Sequence, residues 1–335
     1  MKRIISLLLA LALTLSLTAC TAPAEKADDG KLQIVTTLFP YYDFARAIAQ
    51  DRADVTLLLS PGREAHSFEP TPLDAVTISE ADVFLYNGGE GEYWVESMLD
   101  AAGEHIAVAS RMMDYVDALN EEYVEGMQSA DGHDHDHEHG SHDDHDHDHE
   151  EDEHDSDEIE YDEHIWTSPK NAVVLCRAVC DAICRADAEN AAFYRANCEN
   201  YCAQLEDLDA RFAALCESAP RRLLIFADRF PMLYFCREYG LDYRAAFHGC
   251  SGDTEPSLAT IKFLIDKVED ENIPVVYTID FGTKKVAAVV SECTGAAIET
   301  LYSMQTVSRA DFDAGETYLT LMERNFEALR KGLNE

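Results

Sequence analysis

The largest group of potential metal ligands is a histidine-rich, acidic segment at residues 131–157. Nine of the thirteen histidines lie in it, interspersed with aspartate and glutamate. Neutral imidazole binds zinc, copper and nickel, and the carboxylates raise the local concentration of cations. We expect several weak, interchangeable metal sites, because each bound ion must also order a flexible chain; a solvated acidic spacer is the alternative. The histidines of this segment are His133, His135, His137, His139, His142, His145, His147, His149 and His154.

Two other histidines occupy positions suited to a preformed site. His66 lies in a loop after a predicted strand, and loops at the carboxyl ends of strands form the binding clefts of α/β proteins. His164 lies just before a predicted helix, for which Ser168 is a good N-cap and Pro169 a good first residue. A single histidine in a loop is more often a surface or capping residue than a ligand, so spacing alone does not assign either residue.

The N-terminus has the layout of an export signal, in which Lys2 and Arg3 precede an uncharged, mostly apolar run over residues 4–17. That run is shorter than the roughly 20 residues that span a bilayer, and small residues followed by Cys20 resemble the lipobox of bacterial lipoproteins. We expect residues 1–19 to be removed, Cys20 to be lipidated and residues 20–30 to form a linker. An ordinary signal peptide is the alternative. The anchored chain would work outside the cytoplasm, on the outer face of the cytoplasmic membrane or in a periplasm.

The charge of the chain restricts its partners. The formal net charge is −39, and residues 131–163 contribute 18 of the negative charges without any lysine or arginine. Such a field repels nucleic acid and anionic lipid and attracts cations. We therefore expect no nucleic-acid partner and membrane association through the lipid anchor alone. We also expect a monomeric chain.

The remaining sequence alternates short β-rich runs with amphipathic helical runs, which predicts an α/β fold with mostly parallel sheets. We expect an N-terminal lobe over residues 31–168, with a disordered loop at 131–157, a helical spine over 169–217, and a C-terminal lobe over 218–335. The predicted strands cover residues 32–37, 54–59, 82–86 and 106–109, then 223–226, 243–247, 275–279 and 297–301. Helices are predicted over residues 257–271 and 315–332, with Leu258, Ile261, Leu264, Ile265 and Val268 forming the apolar face of the first.

Nine cysteines remain after the lipidated one, and several have helical spacing. Cys176, Cys180 and Cys184 share one face of a predicted helix. Cys198 and Cys202 repeat the spacing of four residues. This pattern is typical of small apolar residues in a buried seam, and we interpret most of them as reduced core residues. A soft-ligand metal site on that face is the alternative, although no CxxC spacing is present.

Several motifs together resemble the zinc and manganese solute-binding lipoproteins of ABC importers. They are the lipobox, PGREAHSFEPTP at residues 61–72, the histidine-rich acidic loop, and HIW at residues 164–166 before a helix. The resemblance covers nearly the whole mature chain. It implies two (β/α) lobes joined by a long rigid helix, with the metal held between them and delivered to an ABC permease. It also implies that His66 and His164 are metal ligands from the first lobe.

The ligands from the second lobe are less evident, because the chain departs from the family pattern. Where such proteins have histidine or glutamate, this chain has FADRFP at residues 226–231. Asp228 is the best-placed donor there; a helix cap or an ion pair with Arg229 is the alternative. His248 follows another predicted strand and is the alternative imidazole. Asp280, at the end of the strand over 275–279, is the fourth candidate, with capping of the next turn as its alternative.

Two histidines and carboxylates suit both Zn²⁺ and Mn²⁺, and the histidine-rich loop favours zinc. The sequence therefore predicts an extracytoplasmic receptor that binds zinc and passes it to an importer, with a manganese receptor as the alternative. A zinc hydrolase is disfavoured, because neither an HExxH helix nor a GxSxG turn is present.

Overall fold

The computed structural model describes residues 30–63, 68–103, 106–127, 161–249 and 255–334. These residues form two four-stranded parallel sheets with helices packed around them. The predicted α/β fold with two parallel sheets is confirmed. No helix among the described residues combines the length and apolar composition that crossing a bilayer requires.

The first lobe contains the elements β1 (Leu32–Thr36), α1 (Phe39–Ala49), β2 (Ala53–Leu57), α2 (Pro72–Ser79), β3 (Val83–Tyr86), α3 (Val95–Ala102) and β4 (Val108–Arg111). Its strand order is β2-β1-β3-β4. The central strand β3 is a continuous apolar run whose first three residues are buried, as expected for a parallel strand covered on both faces. The carboxyl ends of these strands therefore open into loops on one edge of the lobe.

The second lobe contains β5 (Leu223–Phe230), α6 (Leu233–Tyr239), β6 (Asp242–His248), α7 (Leu258–Asp270), β7 (Val275–Ile279), α8 (Lys285–Thr294), β8 (Ala297–Leu301), α9 (Arg309–Ala314) and α10 (Tyr318–Asn334). Its strand order is β6-β5-β7-β8, the same topology as in the first lobe. The similarity of the two halves is thus architectural, as no sequence repeat accompanies it.

Two long helices connect the lobes, α4 (Pro169–Ala186) and α5 (Ala191–Ser218), which pack against each other. The side chain of Ser168 caps α4 by accepting a hydrogen bond from the backbone N–H of Asn171. Helix α4 contacts α1, β3 and β4 of the first lobe, and α5 contacts α6 and α10 of the second. The predicted spine is therefore a pair of helices joined by a short turn.

A buried carboxylate fastens this helix pair to both lobes. Asp43 of α1 accepts hydrogen bonds from the hydroxyl of Tyr201, at 2.5 Å, and from the backbone N–H of Tyr318, at 2.9 Å. Tyr201 belongs to α5 and Tyr318 begins α10. One carboxylate thus joins three elements that are far apart in the sequence.

Several local predictions differ from the structure. The helix predicted over residues 315–332 is α10, which begins at Tyr318, because Gly315 ends α9 in the left-handed region. The strand predicted at 54–59 is β2, which covers Ala53–Leu57. The strand predicted at 106–109 is β4, which begins at Val108 because its register is set by pairing of Val83 with Val108. Strand β5 runs on to Phe230 through a bulge between Phe226 and Arg229. Leu258 is 85% exposed, since it is the first residue of α7 and only later turns of that helix enter the core.

Candidate metal centre

His164 is held rigidly at the start of the helical spine. Its side chain is buried, and Oδ1 of Asp162 lies 2.8 Å from the backbone nitrogen of His164 and 3.1 Å from its ring Nδ1. When Nδ1–H donates to this carboxylate, Nε2 carries the lone pair that can bind a metal. Histidine ligands of metals are commonly oriented by a carboxylate in this way.

The second lobe closes directly on the His164 ring. A side chain at Gly249, which follows β6, would place its Cβ 3.1 Å from Cε1 of His164 and 3.1 Å from the backbone oxygen of Phe230. Two residues after His164, the indole Nε1–H of Trp166 donates a 2.7 Å hydrogen bond to the carbonyl of Ser303 in the second lobe. His164 therefore lies at the contact between the lobes.

A small cavity of about 20 Å³ adjoins His164, and Asp280 lines it from the second lobe. This volume accommodates about one water-sized particle. The hydroxyl of Thr306, another residue of the lining, is buried and makes no hydrogen bond within the described part of the chain. The cavity thus joins an imidazole from one lobe with a carboxylate from the other, at a scale suited to a single ion.

Asp280 is positioned by the end of the second sheet. It follows β7, whose last residue Ile279 pairs with Leu301 of β8. Its Oδ1 accepts a 2.7 Å hydrogen bond from the backbone N–H of Ser303. This hydrogen bond joins Asp280 to the residues after β8 and is not a cap of the next turn. It is compatible with a ligand role, because a carboxylate carries more than one acceptor site.

Asp228 does not line this cavity. It lies in the β5 bulge and faces a separate cavity of about 350 Å³, together with Glu255 and Lys285. Its Oδ2 accepts a 3.4 Å hydrogen bond from the backbone N–H of Ile279, and a Cβ at Gly282 would approach that oxygen to 1.8 Å. Asp228 therefore supports the loop that carries Asp280, and the structure does not bring its carboxylate to His164.

His248 is also directed elsewhere. Its Nδ1 lies 2.9 Å from Oε2 of Glu121, and both side chains are buried. The two residues line a small cavity next to Asp162, on the other side of Gly249 from the cavity described above. His248 directly precedes Gly249, which lies against the His164 ring, yet its own side chain faces a different cavity from that of His164 and Asp280.

Arg229 was not predicted as a site residue, but it lines the cavity together with His164 and Asp280. The bulge at the end of β5 directs it there, and a bulge of this kind leaves no clear signal in a single sequence. A guanidinium is positively charged at any ordinary pH, so it opposes the entry of a divalent cation.

The electrostatic environment of His164 is dominated by carboxylates. Burial alone disfavours the protonated ring, but the negative charges of Asp162, Glu163 and Glu121, together with the hydrogen bond to Asp162, outweigh that effect and raise the pKa of His164. The same negative field attracts a metal cation. The ring therefore lies where positive charge, from a proton or a metal, is favoured.

Several predicted residues lie outside the described part of the chain. They include His66, the lipidation candidate Cys20 and the histidines of residues 131–157. The residues that flank the His66 segment are described: Phe68 packs against Trp94 with ring centroids 5.3 Å apart. Phe68, two residues after His66, is therefore anchored in a buried aromatic pair of the first lobe.

Comparisons with known proteins agree with this architecture. The family model described as "Zinc-uptake complex component A periplasmic" matches residues 34–332. The high-affinity zinc uptake system protein ZnuA of Bacillus subtilis is 30% identical over 306 residues, which cover 90% of this chain and 88% of that protein. The zinc-binding lipoprotein AdcA of Streptococcus pneumoniae is 31% identical over 333 residues, 99% of this chain, and the chain spans only 61% of its length.

Solved structures show the same fold. The Zn(II)-bound ZnuA-like domain of S. pneumoniae AdcA aligns with a TM-score of 0.71 at 25% identity, covering 91% of this chain and all of that domain. The two-lobe arrangement described above is therefore shared over nearly the full length of both chains. The match of the family model to residues 34–332 shows that this chain belongs to the family of periplasmic zinc-uptake complex A components.

Proposed function

We propose that the protein captures zinc outside the cytoplasm, in the cavity between its two lobes, and delivers it to the permease of an ABC importer. The observation that carries this proposal is that His164, oriented by Asp162, lines a cavity that Asp280 also lines. The names of the relatives, a zinc uptake protein and a zinc-binding lipoprotein, support zinc over manganese as the ion.

The ligand set that we propose is His164 through Nε2, Asp280 and, from the loop over residues 61–72, His66. Zn²⁺ takes four nitrogen, sulfur or oxygen donors, so a water or a further oxygen donor completes the shell. We assign Asp228 the role of fixing the loop after β7 through the N–H of Ile279. Binding and release would then involve no bond-making on a substrate, and the protein would act as a receptor without catalysis.

The remaining segments have supporting roles in this proposal. Lipidation at Cys20 would keep the receptor beside its permease. The histidine-rich residues 131–157 would hold zinc weakly and raise its concentration near the cleft. Neither role requires the segment to take part in the tight site.

The proposal is tested by zinc titration of residues 21–335, the mature chain without the lipidated Cys20, against a chromophoric chelator. We expect one tight site that survives deletion of residues 131–157. His164→Ala and Asp280→Ala should each weaken it by at least about 100-fold, beyond the usual effect of losing an outer-shell partner. The control is Asp313→Ala, which removes an exposed carboxylate that pairs with Arg309.

Asp228→Ala separates the two roles considered for that residue. As a loop support, its loss should weaken binding less than the loss of Asp280. An equal loss of zinc affinity in Asp228→Ala and Asp280→Ala would indicate that Asp228 is a metal ligand. Disappearance of all tight binding after deletion of residues 131–157 would refute a preformed site. Tighter binding of manganese than of zinc would identify manganese as the ion that the protein binds.

A further inference from the structure

The helical spine contains a cluster of thiols that the capture of zinc between the lobes does not use. Cys176, Cys180 and Cys184 lie along one face of α4 at a spacing of four residues, and Cys198 and Cys202 lie on α5. All five side chains are buried and present as free thiols. Packing of α4 against α5 brings the two rows of cysteines together. The spacing of the cysteines in the sequence does not by itself predict this contact.

Three of these sulfurs are mutually close. The Sγ atoms of Cys176, Cys198 and Cys202 all lie within 4.8 Å of one another, and those of Cys198 and Cys202 are 3.8 Å apart. Among the described residues, no other set of three histidine, cysteine, aspartate or glutamate donors is gathered this tightly. A metal bound by thiolates at about 2.3 Å holds its sulfurs about 3.8 to 4.0 Å apart, so small side-chain rotations complete the geometry.

The guanidinium of Arg177 in α4 places a positive charge near the sulfurs of Cys198 and Cys202. Arg177 is itself held by Glu206, at 3.0 Å. Such a positive charge stabilises the thiolate that forms when a metal displaces a thiol proton.

We propose that Cys176, Cys198 and Cys202 form a second metal site, distinct from the interlobe cavity, that binds a soft monovalent cation, Cu(I). Thiolates bind both Cu(I) and Zn²⁺, but three sulfurs satisfy the low coordination number of Cu(I). A tetrahedral zinc site needs a fourth donor, and among the described residues no fourth histidine, cysteine, aspartate or glutamate donor joins this buried set. Each Cu–S bond formed by a thiol releases one proton to solvent, and the copper stays in the oxidation state in which it is supplied.

The location gives the site a structural consequence. Cys176 belongs to α4 and the other two ligands belong to α5. A bound ion would therefore link the two helices that connect the lobes. A metal in the spine would therefore tighten the connection between the lobes without touching His164 or Asp280.

The test uses residues 21–335, the mature chain without the lipidated Cys20, reduced and freed of metal under anaerobic conditions. Cu(I) is added from a chromogenic Cu(I) chelator, and binding is followed by loss of the chelator complex and by the ultraviolet charge-transfer band of Cu(I)–thiolate bonds. We expect one equivalent bound with that band, and X-ray absorption showing sulfur at about 2.3 Å as the copper ligand. Excess zinc should not displace it.

The variants identify the ligands. Cys198→Ser and Cys202→Ser should each weaken Cu(I) binding by more than about 100-fold and remove the charge-transfer band. Cys236→Ser is the matched control, because it removes a buried thiol of α6 that is not part of the cluster. Zinc binding by each variant, measured in parallel, reports whether the fold and the interlobe site are retained.

Three results would overturn the proposal: Cu(I) binding by Cys198→Ser as tight as by the unmodified chain, nitrogen or oxygen ligation in the X-ray absorption spectrum, or disulfides in place of the cluster thiols in freshly isolated protein. Thiol counting and mass spectrometry after alkylation detect the last. If Cys198→Ser fails to fold, Cys202→Ser and the absorption spectrum of the unmodified chain decide the outcome. Loss of zinc binding at His164 would leave this proposal intact, so the two sites are judged separately.

Discussion

Asp162 and His164 form a two-point contact in which one carboxylate oxygen lies 2.8 Å from the backbone nitrogen and 3.1 Å from the ring Nδ1 of the same histidine. Asp162 is itself fixed from the second lobe, because the hydroxyl of Tyr234 donates a 2.8 Å hydrogen bond to its carbonyl. The orientation of the imidazole thus depends on both lobes. Several measurable consequences follow from this arrangement and from the groups around it.

Asp162→Asn should lower zinc affinity by about 10- to 100-fold while leaving the fold intact, because the amide no longer supplies the charge that orients and polarises the ring. Competition against a chromophoric chelator measures the change. Asp114→Asn is the control, since Asp114 pairs with Arg111 at the surface. An unchanged affinity in Asp162→Asn would mean that His164 does not bind the ion through Nε2.

Arg229→Gln should raise zinc affinity by at least about tenfold, because it removes a positive charge from the cavity that the divalent ion enters. Arg211→Gln, which removes an exposed guanidinium paired with Glu323, should have no such effect. Titrations at low and high salt separate a local effect from a change in the overall field. Weaker binding in Arg229→Gln would instead show that the guanidinium supports the site.

Tyr201→Phe should destabilise the protein by about 1–3 kcal/mol, because it leaves the buried Asp43 carboxylate without one of its two donors. Urea unfolding followed by circular dichroism gives the free energy of unfolding. Tyr194→Phe is a suitable comparison, as its hydroxyl bonds to Asp187 in a more exposed setting. Equal stability of Tyr201→Phe and the unmodified chain would remove Asp43 as the link between spine and lobes.

Glu92 should make the stability of the metal-free protein depend on pH. Burial raises the pKa of Glu92 to about 7 in the folded chain, although the backbone N–H of Gly88 donates to its carboxylate. The neutral form is therefore favoured on folding, and this contribution is complete below pH 4.5 and is lost as the pH rises through 7. The loss amounts to about 3 kcal/mol.

Glu92→Gln isolates that effect, because the amide stays neutral at every pH. Relative to this variant, the unmodified chain should lose stability between pH 4.5 and pH 7.5, as measured by urea unfolding. Glu90→Gln, an exposed change two residues away, provides the control. A constant difference between Glu92→Gln and the unmodified chain across this range would contradict the raised pKa.

The sequence predicted the fold well where apolar runs are unambiguous. Strands β7 and β8 begin and end where predicted, since VVYTI and AIETL are β-rich runs bounded by clear breaks. Asp280 was predicted from its place at the end of such a strand, and the structure puts it beside the His164 cavity. Position after a regular strand is thus a usable guide to a cleft residue.

The second-lobe part of the site was less predictable, for a physical reason. The β5 bulge changes which side chains face each cavity, so Asp228 and Arg229 occupy different surroundings from those a regular strand would give them. In the spine, spacing predicted that Cys176 and Cys180 share a helix face, but the approach of Cys198 depends on how α4 and α5 pack. The spacing of residues in the sequence predicts which side chains share a helix face, but the residues that this face contacts depend on the tertiary structure.

We propose that His164 and Asp280 bind one zinc ion between the lobes. Crystals of residues 21–335 with one equivalent of zinc, measured on both sides of the zinc absorption edge, would locate the ion directly. We predict one dominant anomalous peak within bonding distance, about 2.0–2.1 Å, of Nε2 of His164, and with Asp280 in its coordination shell. A dominant peak beside Asp228, beside His248 or in the thiol cluster, with none at His164, would show that His164 and Asp280 do not form the zinc site.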